Sequence, residues 1–132
     1  MSYWHIYDYV DLNGRNDFKA WSRELQSPDL ARLNRKLKML EDNGSDLGPK
    51  LLAGPLKGFA HIYKLRVRGT VELRPLLCKG PVDNDREFTL LKGAYEVGSD
   101  WVPSSARQDA VARREEVIGD AENRRCRHIK VG

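Results

Sequence analysis

The sequence predicts an α+β fold in a single domain, ordered as a strand, two helices, an irregular leucine-bearing segment, a strand meander and a short helix. Three observations carry this expectation. The opening stretch is rich in aromatic and β-branched residues; the next repeats apolar residues at spacings of three and four; and from His61 they recur at every second position. With 132 residues and 40% hydrophobic content, the chain has material for one modest core and not for two.

Taken in order, Tyr3, Trp4, Ile6, Tyr7, Tyr9 and Val10 predict a strand from Tyr3 to Asp11, ended by Asn13-Gly14. Asn16 is placed to cap a helix whose Phe18, Trp21 and Leu25 share one face. Ser27 as N-cap and Pro28 in the first helical position then start a second helix, with Leu30, Leu33, Leu37 and Leu40 as its stripe and Asn43-Gly44 as its end. So short a joint predicts an antiparallel helical hairpin. Between Asn43 and Gly58, glycines and prolines exclude regular structure, while Leu47, Leu51, Leu52 and Leu56 predict an ordered, packed loop, with a functional lid or partner-docking segment as the alternative. Tyr63, Leu65 and Val67 then alternate with Lys64, Arg66 and Arg68, which gives a half-buried strand with a basic outer face. A return strand runs from Val71 to Cys78, and pairing Val67 with Val71 sets Arg66 opposite Glu72 and Lys64 opposite Arg74. Pro75 donates no ladder hydrogen bond, so a bulge or an unpaired side is expected there. Arg86 to Tyr95 forms the third strand of the meander, and Ser104 or Ser105 opens a helix reaching Val117-Ile118. Residues 1–119 make the domain; residues 120–132 are basic, lack apolar periodicity, and are expected to be a flexible or late-docking tail.

Charge narrows the partners. Lys and Arg exceed Asp and Glu by 23 to 19, for a net charge of +4 and a pI near 9.2, which favours polyanions. No cationic leader with an apolar stretch and no membrane-length apolar run is read, so a cytoplasmic protein without a membrane partner is expected. Cys78 and Cys126 show no CxxC or Cys/His spacing, which points to neither a disulfide framework nor a zinc site; Cys78 reads as a buried thiol.

The later half carries a pattern: Leu-Lys-Gly-x-x-x-x-Tyr-Lys-Leu-Arg from Leu56 to Arg66, Leu73-Arg74, Leu90-Leu91-Lys92-Gly93-Ala94, and Pro103 ahead of a helix with Ala110 and Arg113. Over residues 3–118 this resembles the RelE/HigB toxin superfamily, nearest to its phage-derived HigB-like branch. The resemblance implies a RelE-like twisted antiparallel sheet of about four strands with an N-terminal helical hairpin and a short C-terminal helix. It also implies an endoribonuclease using neither metal nor cofactor, which cuts mRNA on the ribosome, inhibits translation, and is held by a cognate helix-turn-helix antitoxin. Carried over position by position, Lys64 and Arg66 match the family's basic pair and Arg74 its next arginine, residues implied to bind or stabilise the scissile phosphate; Lys92 lies in the Leu-Leu-x-Gly segment. Where the family commonly continues with a Lys/Arg pair, this chain has Tyr95-Glu96-Val97.

Side-chain chemistry can be weighed beside that resemblance. Metal-free scission uses the ribose 2′-OH as nucleophile, so a site needs a proton acceptor, a proton donor, and cations where phosphorane charge develops. Arg66 and Arg74 suit the last role because a guanidinium stays charged and its fork matches phosphate oxygens. Acceptor and donor are sought among His61, Lys64, Glu72, Lys92 and Tyr95, of which only His61 ordinarily titrates near neutrality, although its phase with Tyr63 and Leu65 favours a structural histidine. The candidate catalytic set is therefore Arg66, Arg74, Lys92, Tyr95 and His61, and the candidate phosphate contacts are Lys57, Lys64, Arg68, Arg113 and Arg114. Arg124-Arg125-Cys126-Arg127 is a further basic cluster, and Trp101 reads as a packing anchor. Two rivals use the same scaffold: a ParE-like, non-enzymatic gyrase inhibitor and a phage host-interaction protein, since fold does not fix activity. The nuclease reading requires Lys64, Arg66 and Arg74 to converge without being neutralised by carboxylates.

Overall fold

A computed structural model describes residues 3–132; positions 1 and 2 of the expected domain lie outside the described residues. The elements are β1 (His5–Tyr9), α1 (Asp17–Arg23), α2 (Ser27–Asn43), a 3-10 turn (Gly44–Leu47), β2 (Leu52–Ala53), β3 (Tyr63–Leu65), β4 (Val67–Arg68), β5 (Glu72–Leu73), β6 (Leu76–Lys79), β7 (Glu87–Lys92), β8 (Tyr95–Val97), β9 (Asp100–Val102), α3 (Ala106–Gly119), α4 (Ala121–Arg124) and β10 (Arg125–Arg127). The α+β class stands. The strands form two sheets, ordered β10-β1-β7-β6-β3-β2 and β4-β5-β8-β9, where one sheet of about four strands was expected. Every pairing is antiparallel except β1 with β7.

The two sheets share one bent meander. The path β3–β4 breaks at Arg66, β5–β6 at Arg74-Pro75, and β7–β8 at Gly93-Ala94, so three consecutive strands leave one sheet for the other at a common level. Pro75 explains one break, because it has no ladder donor, while its carbonyl still accepts from Leu65 N at 2.9 Å. Gly93 explains another. Its backbone lies against the Trp21 indole, and a Cβ there would occupy the ring's position. Gly93→Ala is expected to cost about 1–3 kcal/mol by overpacking, read as a lower midpoint in urea unfolding.

The register of the first hairpin differs from the sequence-based pairing. Val67 faces Leu73 and Arg68 faces Glu72, which leaves Lys64 opposite Leu76 and not Arg74. The cause is a contact with α2: the buried Asp29 carboxylate accepts from Thr70 N at 3.0 Å and from Thr70 Oγ1 at 2.7 Å, fixing Thr70 at the turn's tip. Those hydrogen bonds, with Arg32 beside them, hold the Asp29 carboxyl below the usual carboxylate range.

Local chemistry sets the helices as expected, with one change. Asn16 Oδ1 accepts from Lys19 N at 3.0 Å and caps α1. Helix α2 takes Ser27 as its first residue, with Gln26 at the N-cap, so Ser27 does not cap it. Leu33, Leu37 and Leu40 of its stripe are buried with Ile6, Phe18, Leu77, Phe88 and Leu90 in one core, on one side of the larger sheet. Leu91, Leu76, Cys78 and Tyr9 form a second core with Ala106, Ala110 and Val117 of α3, on the other side. The sheet is thus a middle layer between α1–α2 and α3. Burial pushes the Cys78 thiol up to about 11, in keeping with an inert core cysteine. The leucine-bearing segment, expected to hold no regular structure, contains the 3-10 turn and β2, which pairs with β3, and Leu52 enters the first core.

Residues 120–132 dock. Strand β10 pairs with β1, setting Arg127 opposite Tyr7 and Arg125 opposite Tyr9. Beyond it, His128 Nδ1 lies 2.8 Å from the buried Asp8 carboxylate, and Asn34 Nδ2 donates to Val131 O at 2.9 Å. Of the two expected states, flexible or docked, the segment takes the docked one, as an edge strand held through backbone and polar contacts. No helix among the described residues is long and apolar enough to cross a membrane.

Candidate functional site

The smaller sheet sets two carboxylates against each other, because β5 and β8 pair with Glu72 opposite Glu96. Like charges in that position repel unless a cation joins them. Arg74 does so: its Nε donates to Glu96 Oε1 at 2.9 Å, its Nη2 to Glu72 Oε2 at 3.0 Å, and its Nη1 to Leu73 O at 2.9 Å. Lys64 Nζ donates to the same Glu96 Oε1 at 2.9 Å. Among the described residues, no hydrogen bond falls on Glu96 Oε2. Burial opposes ionisation of Glu96, but the bonds and charges of Lys64 and Arg74 outweigh it and hold the carboxyl below the usual range. It is an ionised acceptor.

Aromatic and further basic groups surround this centre. Trp101 faces Glu96 across the β8–β9 pair. Its ring lies 5.4 Å from Lys64 Nζ and 5.6 Å from the Arg107 guanidinium, which in turn stands 5.0 Å from Phe59. Trp101 therefore anchors two cations. Arg68 reaches Glu72 at 3.8 Å from an exposed position, and Arg66 is exposed between β3 and β4 with no carboxylate partner among the described residues. Three cations, Lys64, Arg68 and Arg74, pair with two carboxylates, Glu72 and Glu96, so the centre keeps positive charge.

Convergence of Lys64 and Arg74 is present, but the condition that no carboxylate neutralise them is not met. The anion that two facing cations require is Glu96, supplied by the chain at the position where the resemblance noted missing cations. Sequence reasoning missed Glu96 as a site residue; the signal was its alternation with Tyr95 and Val97, which directs it away from the α1–α2 side.

Other candidates lie elsewhere. Lys92 pairs with Asp109 at 3.2 Å and lines a cleft with Arg15, Trp21 and Glu24. Tyr95 packs 5.7 Å from Trp21, and burial pushes its phenol up, so neither it nor Lys92 joins Glu96. Arg113 is spent on structure: it donates to Asp17 Oδ2 at 2.6 Å and Leu91 O at 3.0 Å, and covers the Tyr9 ring at 4.8 Å. Arg114 pairs with the exposed Glu115 at 3.6 Å, and its Nε is buried without a hydrogen-bond partner among the described residues. His61 is exposed in a turn with φ of 68°, outside the strand phase expected of it; histidine is among the side chains that tolerate that conformation. Lys57 is exposed. Among the described residues, no cluster of three or more His, Cys, Asp or Glu is disposed to hold a metal ion. Compared with known proteins, the chain matches no family model, no curated protein and no solved structure.

Proposed function

We propose that the protein is a metal-independent endoribonuclease of the RelE/HigB type, which cuts mRNA on the ribosome in the cytoplasm, inhibits translation, and is restrained by a cognate helix-turn-helix antitoxin. Lys64 and Arg74 are neutralised and so are not the free phosphate ligands first expected; the observation that supports the reading in their place is ionised Glu96, which sits between them with Oε2 uncommitted, while Arg66 and Arg68 are exposed. On this reading the bent meander β3–β8 is the RelE-type sheet. Glu96 takes the 2′-OH proton as the 2′-oxygen bonds to phosphorus and the bond to the 5′-oxygen breaks. Lys64 protonates the departing 5′-oxygen, and Arg66 and Arg74 meet the charge on the phosphorane oxygens. No cofactor takes part in this step.

A second reading draws on accessibility. The side chains of Lys64 and Arg74 are only 16% and 11% exposed, which favours a non-enzymatic protein on this scaffold, either a ParE-like gyrase inhibitor or a phage host-interaction protein. Mixing the purified protein with mRNA on translating ribosomes tests both. The nuclease leaves 2′,3′-cyclic phosphate and 5′-OH ends, and Arg66→Ala slows cutting roughly 100-fold. Intact mRNA with blocked gyrase supercoiling selects the gyrase inhibitor; growth arrest with neither effect selects the host-interaction protein.

A further inference from the structure

The edge of the larger sheet carries a second cationic and aromatic surface, separate from Glu96. Arg125 lies with its guanidinium 3.9 Å from the Tyr7 ring centroid and pairs with Glu87 at 2.8 Å, with both charged side chains nearly buried. That stack is rigid, because a guanidinium held by a carboxylate in a dry setting has little freedom to leave. Arg127 stands opposite Tyr7, 5.6 Å from the same ring, and is exposed with no carboxylate partner among the described residues. Tyr3 is 52% exposed and stands edge-on to His5 at 6.0 Å. One buried polar atom here lacks a partner among the described residues, His5 Nδ1. Packing accounts for Arg125 and Tyr7. It does not account for the side chains of Arg127 and Tyr3, which are exposed and make no hydrogen bond among the described residues.

We propose that this β1–β10 edge binds single-stranded nucleic acid, with Tyr3 and the guanidinium planes stacking unpaired bases and Arg127 neutralising backbone phosphate. Aromatic and guanidinium planes at an open sheet edge suit splayed bases, because a duplex hides its base faces and meets only the charges. Binding here needs no 2′-OH and no cleavage, so the inference stands apart from the nuclease reading.

The test is fluorescence anisotropy with a labelled 12-nucleotide strand in three forms, 2′-O-methyl RNA, DNA of the same sequence, and the corresponding duplex. The first two cannot be cut through a 2′-OH, so affinity is read free of chemistry, and their comparison tells which nucleic acid the edge prefers. Tyr3→Ala and Arg127→Glu are each expected to weaken single-strand binding roughly ten-fold or more, and Arg127→Ala to lower the salt slope by about 0.7. Arg35→Glu, an equal charge change at an exposed position on α2, is the control and is expected to have less than a two-fold effect. Both substituted positions are exposed, and unchanged thermal melts verify folding. Wild-type affinity in the Tyr3 and Arg127 variants, equal loss in the Arg35 variant, or duplex binding as tight as single-strand binding each overturns the proposal.

Discussion

Phe88→Ala is expected to lower stability by about 3–5 kcal/mol and the melting temperature by roughly 10–20 °C. Phe88 is fully buried in the core shared with the α2 leucines, and its ring stacks on Trp4 at 4.5 Å between centroids. Strand β7 lies between β1 and β6, so a void there sits at the middle of the sheet and cannot be filled by a shift of an edge. Val82→Ala is the contrast. Val82 is 64% exposed, and its truncation is expected to stay within about 0.5 kcal/mol. Urea titrations of the two variants, with unchanged slopes, measure the difference directly. A small effect at Phe88 would mean that the two helices and the sheet are not packed as described.

Glu96→Gln is expected to reduce mRNA cutting by roughly 10²- to 10⁴-fold, because an amide cannot take the 2′-OH proton. The amide oxygen still accepts from one cation, so the loss of stability is held to about 1–3 kcal/mol and the protein stays folded. pH gives a second readout with a fixed sign. The carboxyl of Glu96 is depressed in the folded state, so its contribution to stability is complete above the ordinary carboxylate range and is lost as pH falls through its folded value. The same ionisation governs its action as a base. The acid limb of cutting is therefore expected below the ordinary carboxylate range, and the matching share of acid destabilisation is expected to be absent from the Glu96→Gln variant. Single-turnover cutting across pH, paired with melts in the same buffers, measures both.

What the sequence disclosed divides by distance along the chain. The Asn16 cap, the leucine stripe of α2, the alternation around Lys64 and the burial of Cys78 depend on neighbours a few residues away, and all were legible. The hairpin register was not, because it is set by Asp29 reaching Thr70, 41 residues later. Nor was the role of Glu96, which exists only once β3, β5 and β8 bring Lys64, Arg74 and Glu72 to one place. How residues 120–132 dock was illegible for another reason. Their docking uses backbone pairing and the contacts of Arg125 with Glu87 and His128 with Asp8, and polar partners at such separations leave no periodic trace.

Strand β1 lies between β7 and β10, whose residues are 87–92 and 125–127, so vectorial synthesis delivers the first strand long before either of its flanks. Until then the nascent chain carries Trp4, Ile6 and Tyr9 on an unsatisfied backbone, a segment suited to capture by a holdase and prone to self-association. Zipping of the larger sheet is accordingly a late event with a high loop-closure cost, slow relative to the local formation of α1 and α2.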